Sequence, residues 1–174
     1  MVEEVALDMS TVRPFEAMDE TPLYKVSLSE AKIEKASTGA DVVNAVFDVV
    51  EPEEVQGVAV LMDKKGNPIL DDEGHVQPGN LMVDANGAPV MVMAAKRKLF
   101  RTYTLTEKAL PFLHEMVKAL DPSKVLDENF IFRPAEYIGL LAMARIKNEG
   151  YQEQIRARIQ RLSAVPTAEK TTKR

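Results

Sequence analysis

Residues 140–162 read LLAMARIKNEGYQEQIRARIQRL, and the conformation of this stretch decides which fold the chain can adopt. As two strands around the turn Asn148-Glu149-Gly150-Tyr151, the stretch alternates, and one face carries only apolar side chains. That face would consist of Leu140, Ala142, Ala144 and Ile146 from the first strand and Ile155, Ala157 and Ile159 from the second. As helices, the stretch shows an apolar stripe of Tyr151, Ile155, Ile159 and Leu162, and intrinsic propensity favours that state. Both states, a hairpin of strands and a hairpin of helices, remain open at this point.

Three segments upstream have the alternation of β-strands. Residues 24–35 alternate, but the phase slips by one residue near Ser29 and Glu30, which predicts a long strand bent at a bulge. In residues 42–51, every second residue is apolar and lies on one face, which predicts the next strand. Residues 96–105, KRKLFRTYTL, are rich in aromatic and β-branched residues and predict a strand that opens with a basic cluster.

One helix is predicted after these strands. Thr104 and Glu107 have the spacing of a capping box. The helix would end at Asp121, because the residue before a proline avoids helical angles. One apolar face would consist of Leu110, Leu113, Met116, Val117 and Leu120.

Between residues 58 and 93 the pattern D-x-x-G occurs three times and predicts turns between short strands. The three turns begin at Asp63, Asp71 and Asp84. Acidic loops can bind calcium, but the alternate acids and terminal Glu of an EF-hand are missing, so no metal site is predicted. His75 lies in the second of these turns and His114 on the polar side of the helix. Both are expected to be surface residues.

Composition narrows the functional class. Of 174 residues, 45% are hydrophobic and 28% charged, as in a soluble globular chain. There are no cysteines, which excludes disulfides, thiol catalysis and Cys-based metal centres. The sequence contains no nucleophile elbow, Walker loop, dinucleotide fingerprint or HExxH helix, so neither an enzyme nor a cofactor is expected. No long apolar run and no basic leader occur, and we expect a cytoplasmic protein that does not enter membranes.

Charge is unevenly distributed along the chain. The net charge is −5, residues 1–20 hold one base and six acids (1 − 6 = −5), and residues 141–174 hold eight bases and three acids (8 − 3 = +5). We therefore expect three parts. Residues 1–22 form an acidic arm that is poorly ordered unless a partner holds it. Residues 23–166 form a folded domain with an insertion at 58–93. Residues 167–174 form a flexible basic tail.

The order of two strands, a third strand after an insertion, a helix and a terminal hairpin is that of an OB-fold, a five-stranded barrel. The residues also resemble a bacteriophage family found among replication and recombination genes. The resemblance rests on the runs KIEKASTG from Lys32, VFDVVE from Val46 and EYIG from Glu136, followed by Ala144-Arg145-Ile146 and Glu149-Gly150-Tyr151. It implies a mainly β, OB-like, non-catalytic protein that binds single-stranded DNA in the host cytoplasm. Phage replication or recombination proteins and further copies of the chain are candidate partners.

Single strands are bound by cations that follow the phosphates and by aromatic faces on which bases stack. The third strand and the terminal hairpin supply both. The predicted nucleic-acid-binding residues are Lys96, Arg97, Lys98, Phe100, Arg101, Tyr103, Arg145, Lys147, Tyr151, Arg156 and Arg158. Phe100 and Tyr103 point to opposite faces of a strand, so at least one of them is expected in the core.

A specific anion site is predicted within the terminal hairpin. A register that sets Arg145 opposite Arg156 brings like charges together, which costs stability unless a phosphate lies between them. The alternative function is that of a phage structural or interaction protein, which docks through the acidic arm and the insertion. The nine methionines would suit such an adaptable surface.

Overall fold

The computed structural model describes residues 4–6, 17–152 and 154–166. The basic tail at 167–174 and most of the acidic arm lie outside these residues. The prediction of a mainly β protein with one helix is confirmed. In chain order the elements are β1 Ala17–Met18, β2 Tyr24–Lys35, β3 Asp41–Glu51, β4 Glu54–Val60, β5 Pro78–Leu81, β6 Met91–Met93, β7 Lys98–Thr104, α1 Leu110–Leu120, a 3₁₀ turn Pro134–Tyr137, β8 Leu141–Tyr151 and β9 Gln154–Ser163.

The main sheet is antiparallel, with the strand order β7-β3-β2-β8-β9. The bulge predicted in β2 is confirmed, because the register against β3 shifts between Leu28 and Glu30. Every second residue of β3 is buried, as the alternation predicts. The large side chains with no exposed surface include Tyr24, Leu28 and Phe47, so the core lies on the inner face of this sheet.

The terminal stretch forms strands, not helices. β8 and β9 pair from Tyr151↔Gln154 to Met143↔Ser163. The side chains of Ala142, Ala144 and Ile146 are buried, as are those of Ile155 and Ile159. Burial of this shared face therefore outweighs the helical propensity of the sequence.

The two edges of the main sheet, β7 and β9, approach each other without closing a barrel. Successive antiparallel pairings make β7 and β9 run in the same direction. In the part of the chain that the structure describes, no backbone ladder joins them. Instead, the Arg101 guanidinium of β7 donates a hydrogen bond to the Ile159 carbonyl of β9 over 2.5 Å. The closed five-stranded barrel expected from the sequence is therefore not found, and a side chain bridges the seam between β7 and β9.

Helix α1 packs beside this seam. The predicted apolar face is confirmed for Leu113, Met116, Val117 and Leu120, whereas Leu110 is exposed. Asp121 ends the helix as predicted. The predicted capping box is wrong: the N-cap is Ala109, because Thr104 is paired with Val42 in the sheet. Within the described residues, no helix is long and apolar enough to cross a membrane.

The insertion forms most of a second sheet, in which β4 pairs with β1, β5 and β6. The three predicted D-x-x-G turns are confirmed. In each turn the aspartate Oδ1 accepts hydrogen bonds from the backbone N–H groups two and four residues later, over 2.8–3.0 Å. The turn glycines have φ near +82°, a conformation that favours glycine.

Strand β1 lies inside the range 1–22 that the sequence assigned to an arm. Ala17 and Met18 are buried and pair with β4. The Asn148 side chain donates a hydrogen bond to the Met18 carbonyl over 2.7 Å, and the Asn148 backbone N–H donates to the Glu20 carboxylate over 2.7 Å. Residues 17–20 are thereby attached to β8, and the folded domain begins upstream of residue 23.

Candidate nucleic-acid interface

A cleft of about 730 Å³ lies between the start of β7 and the tip of the β8–β9 hairpin. It brings together six of the eleven residues predicted to bind nucleic acid. These six are Arg97, Lys98, Phe100, Tyr151, Arg156 and Arg158. Met18 from β1 also lines the cleft, as does the Glu149 carboxylate. The sequence therefore identified both the strand and the hairpin that form this site.

Strand alternation directs the β7 side chains. Leu99 points into the core, whereas Lys98 and Phe100 point outward. Phe100 is 63% exposed, which is unusual for a phenylalanine in the middle of a strand. The Lys98 ammonium lies 2.9 Å from the Asp48 carboxylate of β3. This part of the cleft therefore offers an uncovered aromatic face beside a cation.

Arg97 precedes β7 and is held more tightly than its neighbours. Its side chain is half-buried, and its Nε donates a hydrogen bond to the Met93 carbonyl over 2.9 Å. The guanidinium thus adds a positive charge to the lining of the cleft.

The hairpin supplies two arginines from β9. Arg156 and Arg158 are exposed and alternate with the buried Ile155 and Ile159. Arg158 lies 3.3 Å from the Glu149 carboxylate. Among the described residues that line the cleft, four are cationic and one is acidic, so the cleft is basic although the whole chain is acidic.

The predicted hairpin register is wrong. Arg156 lies opposite Glu149, and Arg145 lies opposite Arg161 rather than Arg156. The reason is that β8 continues through Asn148-Glu149-Gly150-Tyr151, the four residues that the sequence pattern indicated as the turn. The chain reverses only after Tyr151, at Gln152, which has a φ of 55°. The anion site predicted between Arg145 and Arg156 is therefore not formed. Two other like-charged pairs face each other across the strands, Arg145 with Arg161 and Lys147 with Arg158.

Five predicted residues lie outside the cleft. Lys96 is exposed in the turn before β7, with a φ of 70°. Arg145 and Lys147 are exposed on β8 and do not line the cleft, although Lys147 lies opposite Arg158. Arg101 bridges the seam, and Tyr103 is 3% exposed in the core. Burial raises the pKa of the Tyr103 hydroxyl well above its ordinary value, as expected for a phenol that solvent does not reach. The expectation that one of Phe100 and Tyr103 is a core residue is confirmed.

Tyr151 is 48% exposed at the hairpin tip and contacts two other side chains. The His75 ring stacks on it at a centroid distance of 5.4 Å and an interplanar angle of 19°. The Arg156 guanidinium lies over the Tyr151 ring, 4.8 Å from its centroid. His75 was expected to be an ordinary surface residue, and its role at the hairpin tip was missed. No local signal could have shown it, because the two segments lie more than 70 residues apart in sequence.

The chain matches no protein-family model and has no significant match among curated proteins. The geometry and chemistry of the cleft are therefore the basis for inferring a function.

Proposed function

We propose that the protein binds single-stranded DNA without catalysing a reaction, and that the cleft is its binding site. The single observation that carries this proposal is the convergence of an exposed phenylalanine, Phe100, with the cations Lys98, Arg156 and Arg158 in one cleft. Cations that follow phosphates and aromatic faces that accept bases are the two elements of single-strand binding.

The strand order of the main sheet supports an OB-like topology. If β2, β3, β7, β8 and β9 are numbered one to five, the sheet has the order 3-2-1-4-5, and α1 follows the third strand. In OB-folds, the face of strands two and three and the loop between strands four and five bind oligonucleotides. The cleft lies between the third strand and the tip of the hairpin formed by the fourth and fifth strands, which is the corresponding place.

The resemblance to phage replication and recombination proteins supports the same ligand and a role in the cytoplasm of an infected host. In such a system the protein would cover unpaired DNA and would need no cofactor. The Asp48 and Glu149 carboxylates already pair with Lys98 and Arg158. Phosphates would replace these carboxylates, and binding would weaken as salt rises.

The proposal is tested by polarisation titrations of labelled oligo-dT at about 50 to 200 mM salt. If the four cations each neutralise a phosphate, the log–log slope of affinity against salt is about −2.8, at about −0.7 per phosphate. The double variant Arg156→Ala with Arg158→Ala is expected to lose affinity at least about tenfold at the lowest salt, and its slope is expected to become shallower by about 1.4.

The matched control is Lys64→Ala with Lys65→Ala, which removes the same charge from an exposed turn of the insertion outside the cleft. We expect it to bind almost as the parent does, apart from a small change in the long-range field. Flat titrations, or equal losses in the two double variants, would contradict the proposal.

The alternative, a phage structural or interaction protein, is favoured by one specific observation. Several large apolar side chains of the insertion are exposed, including Met62, Leu70, Val83, Met91 and Met93. Flat oligo-dT titrations would favour this alternative.

A further inference from the structure

The second turn of the insertion packs against the tip of the β8–β9 hairpin. The Val76 backbone N–H donates a hydrogen bond to the Gln152 carbonyl over 2.9 Å. The Val76 side chain is buried in a small apolar cluster with Ala17, Val58 and Ile155. This cluster combines the insertion, β1 and the hairpin, so it attaches the insertion to the element that carries Arg156 and Arg158.

The backbones meet so closely at this contact that only a glycine fits at one position. A Cβ atom on Gly150 would lie 1.5 Å from the Val76 carbonyl oxygen, far inside van der Waals contact. Gly150 also lines the cleft. Docking of the insertion against the hairpin therefore requires glycine at position 150.

His75 makes two contacts with successive residues of the tip. Its Nδ1 accepts a hydrogen bond from the Gln152 backbone N–H over 2.7 Å, and its ring stacks on Tyr151. Because Nδ1 accepts this bond, the proton of the neutral ring lies on Nε2, which is 3.5 Å from the Glu73 carboxylate. The imidazole thus fixes both the backbone beside Tyr151 and the plane of the Tyr151 ring.

Tyr151 and Arg156 line the cleft, whereas His75 does not. The Arg156 guanidinium lies over the Tyr151 ring, and bases stack on guanidinium planes as well as on aromatic rings. A platform that is ordered before the ligand arrives loses less conformational entropy on binding than a mobile one.

We infer that His75 is a positioning residue: it holds Tyr151, and through Tyr151 the Arg156 guanidinium, as a stacking platform for a base at the hairpin end of the cleft. The inference rests on the proposed function. It also gives the insertion a role, since His75 belongs to the insertion and acts on a site formed by other elements.

The test measures the ratio of affinities for oligo-dT and for an abasic strand of the same length, which has the phosphates but no bases. Substitution His75→Ala is expected to lower this ratio about fivefold, the lower end of the contribution of one stacked base. The salt dependence should stay unchanged, because the cations remain. A residue with only a structural role would weaken binding of both strands equally and would not move the ratio.

Two further variants separate the two contacts of His75. His75→Phe retains a ring that can stack on Tyr151 but has no hydrogen-bond acceptor. Its dT-to-abasic affinity ratio should stay close to that of the parent, while amide exchange of Gln152 becomes faster. His75→Asn retains an acceptor at the same reach but no ring. Amide exchange of Gln152 should stay slow in this variant, but its dT-to-abasic affinity ratio should fall as it does in His75→Ala. His114→Ala on α1, an exposed histidine outside the cleft, is the control and should match the parent.

A dT-to-abasic ratio that is the same in the parent and in all three His75 variants would overturn the positioning role and leave the proposed function standing. If the parent itself does not bind oligo-dT, the proposed function fails, and the positioning role fails with it.

Discussion

The two ends of the seam between β7 and β9 differ in how the gap between the strands is filled. At one end the Arg101 guanidinium reaches across to the Ile159 carbonyl, and α1 is tied to β9 by an ion pair between Glu115 and Arg161. At the other end, near Phe100 and Arg156, the gap widens into the basic cleft. The same pair of strands is therefore structural at one end and open to a ligand at the other.

This difference shows why residues of one type have different roles along one strand. Lys98, Phe100 and Arg101 lie within four residues of β7, yet Arg101 points toward the seam and the other two point outward. A cation contributes to a binding site only where strand alternation and the spacing of the strands leave it free to meet a ligand. Variants at the closed end and at the open end of the seam test this contrast.

The largest effect on stability is expected from Tyr103, and the other aromatic residue of β7, Phe100, provides the contrast. Tyr103→Ala leaves a cavity in the core and should lower the free energy of unfolding by about 3–5 kcal/mol in urea titrations. Phe100→Ala should change it by no more than about 0.5 kcal/mol, since the ring is exposed. The same Phe100→Ala variant should bind oligo-dT about fivefold more weakly, because a stacking surface is lost.

Phe112→Ala is the control for this comparison. Phe112 is also exposed, but it lies on α1 near Arg101, away from the cleft. Its removal should leave oligo-dT affinity unchanged. If Phe100→Ala and Phe112→Ala bind equally well, the exposed ring on β7 is not a stacking surface.

A smaller effect on stability is expected from the closed end of the seam. Arg101→Met keeps the apolar stem but removes the hydrogen bond to Ile159, and it should lower the free energy of unfolding by about 1.5 kcal/mol. The value is at the lower end for a charged donor because Arg101 is only half-buried. Oligo-dT affinity should stay close to that of the parent. Weakened binding with unchanged stability would instead place Arg101 in the DNA interface.

Local patterns predicted most of the elements of the main sheet. The period of two and its slip at Ser29 gave β2 and its bulge, because each side chain must face either core or solvent. Pro122 fixed the end of α1 for a local steric reason. The start of α1 was mispredicted because Thr104, a good cap by type, belongs to a strand that pairs with β3.

The parts that could not be predicted depend on contacts between distant segments. At the hairpin tip, Val76 approaches Gly150 and the His75 ring stacks on Tyr151. Neither contact leaves a periodic signal in the sequence. Five of the eleven predicted residues lie outside the cleft, because the pattern of charges along the chain does not show which part of the hairpin borders β7.

Photo-crosslinking of the full chain to a short single strand that contains 5-iododeoxyuridine, followed by mapping of the crosslinked peptide, shows directly whether the cleft binds DNA. We expect attachment at Phe100 on β7 and at Tyr151 on the hairpin tip, with much less attachment after Arg156→Ala with Arg158→Ala. Attachment confined to α1, or to the exposed apolar residues of the insertion, would contradict this expectation.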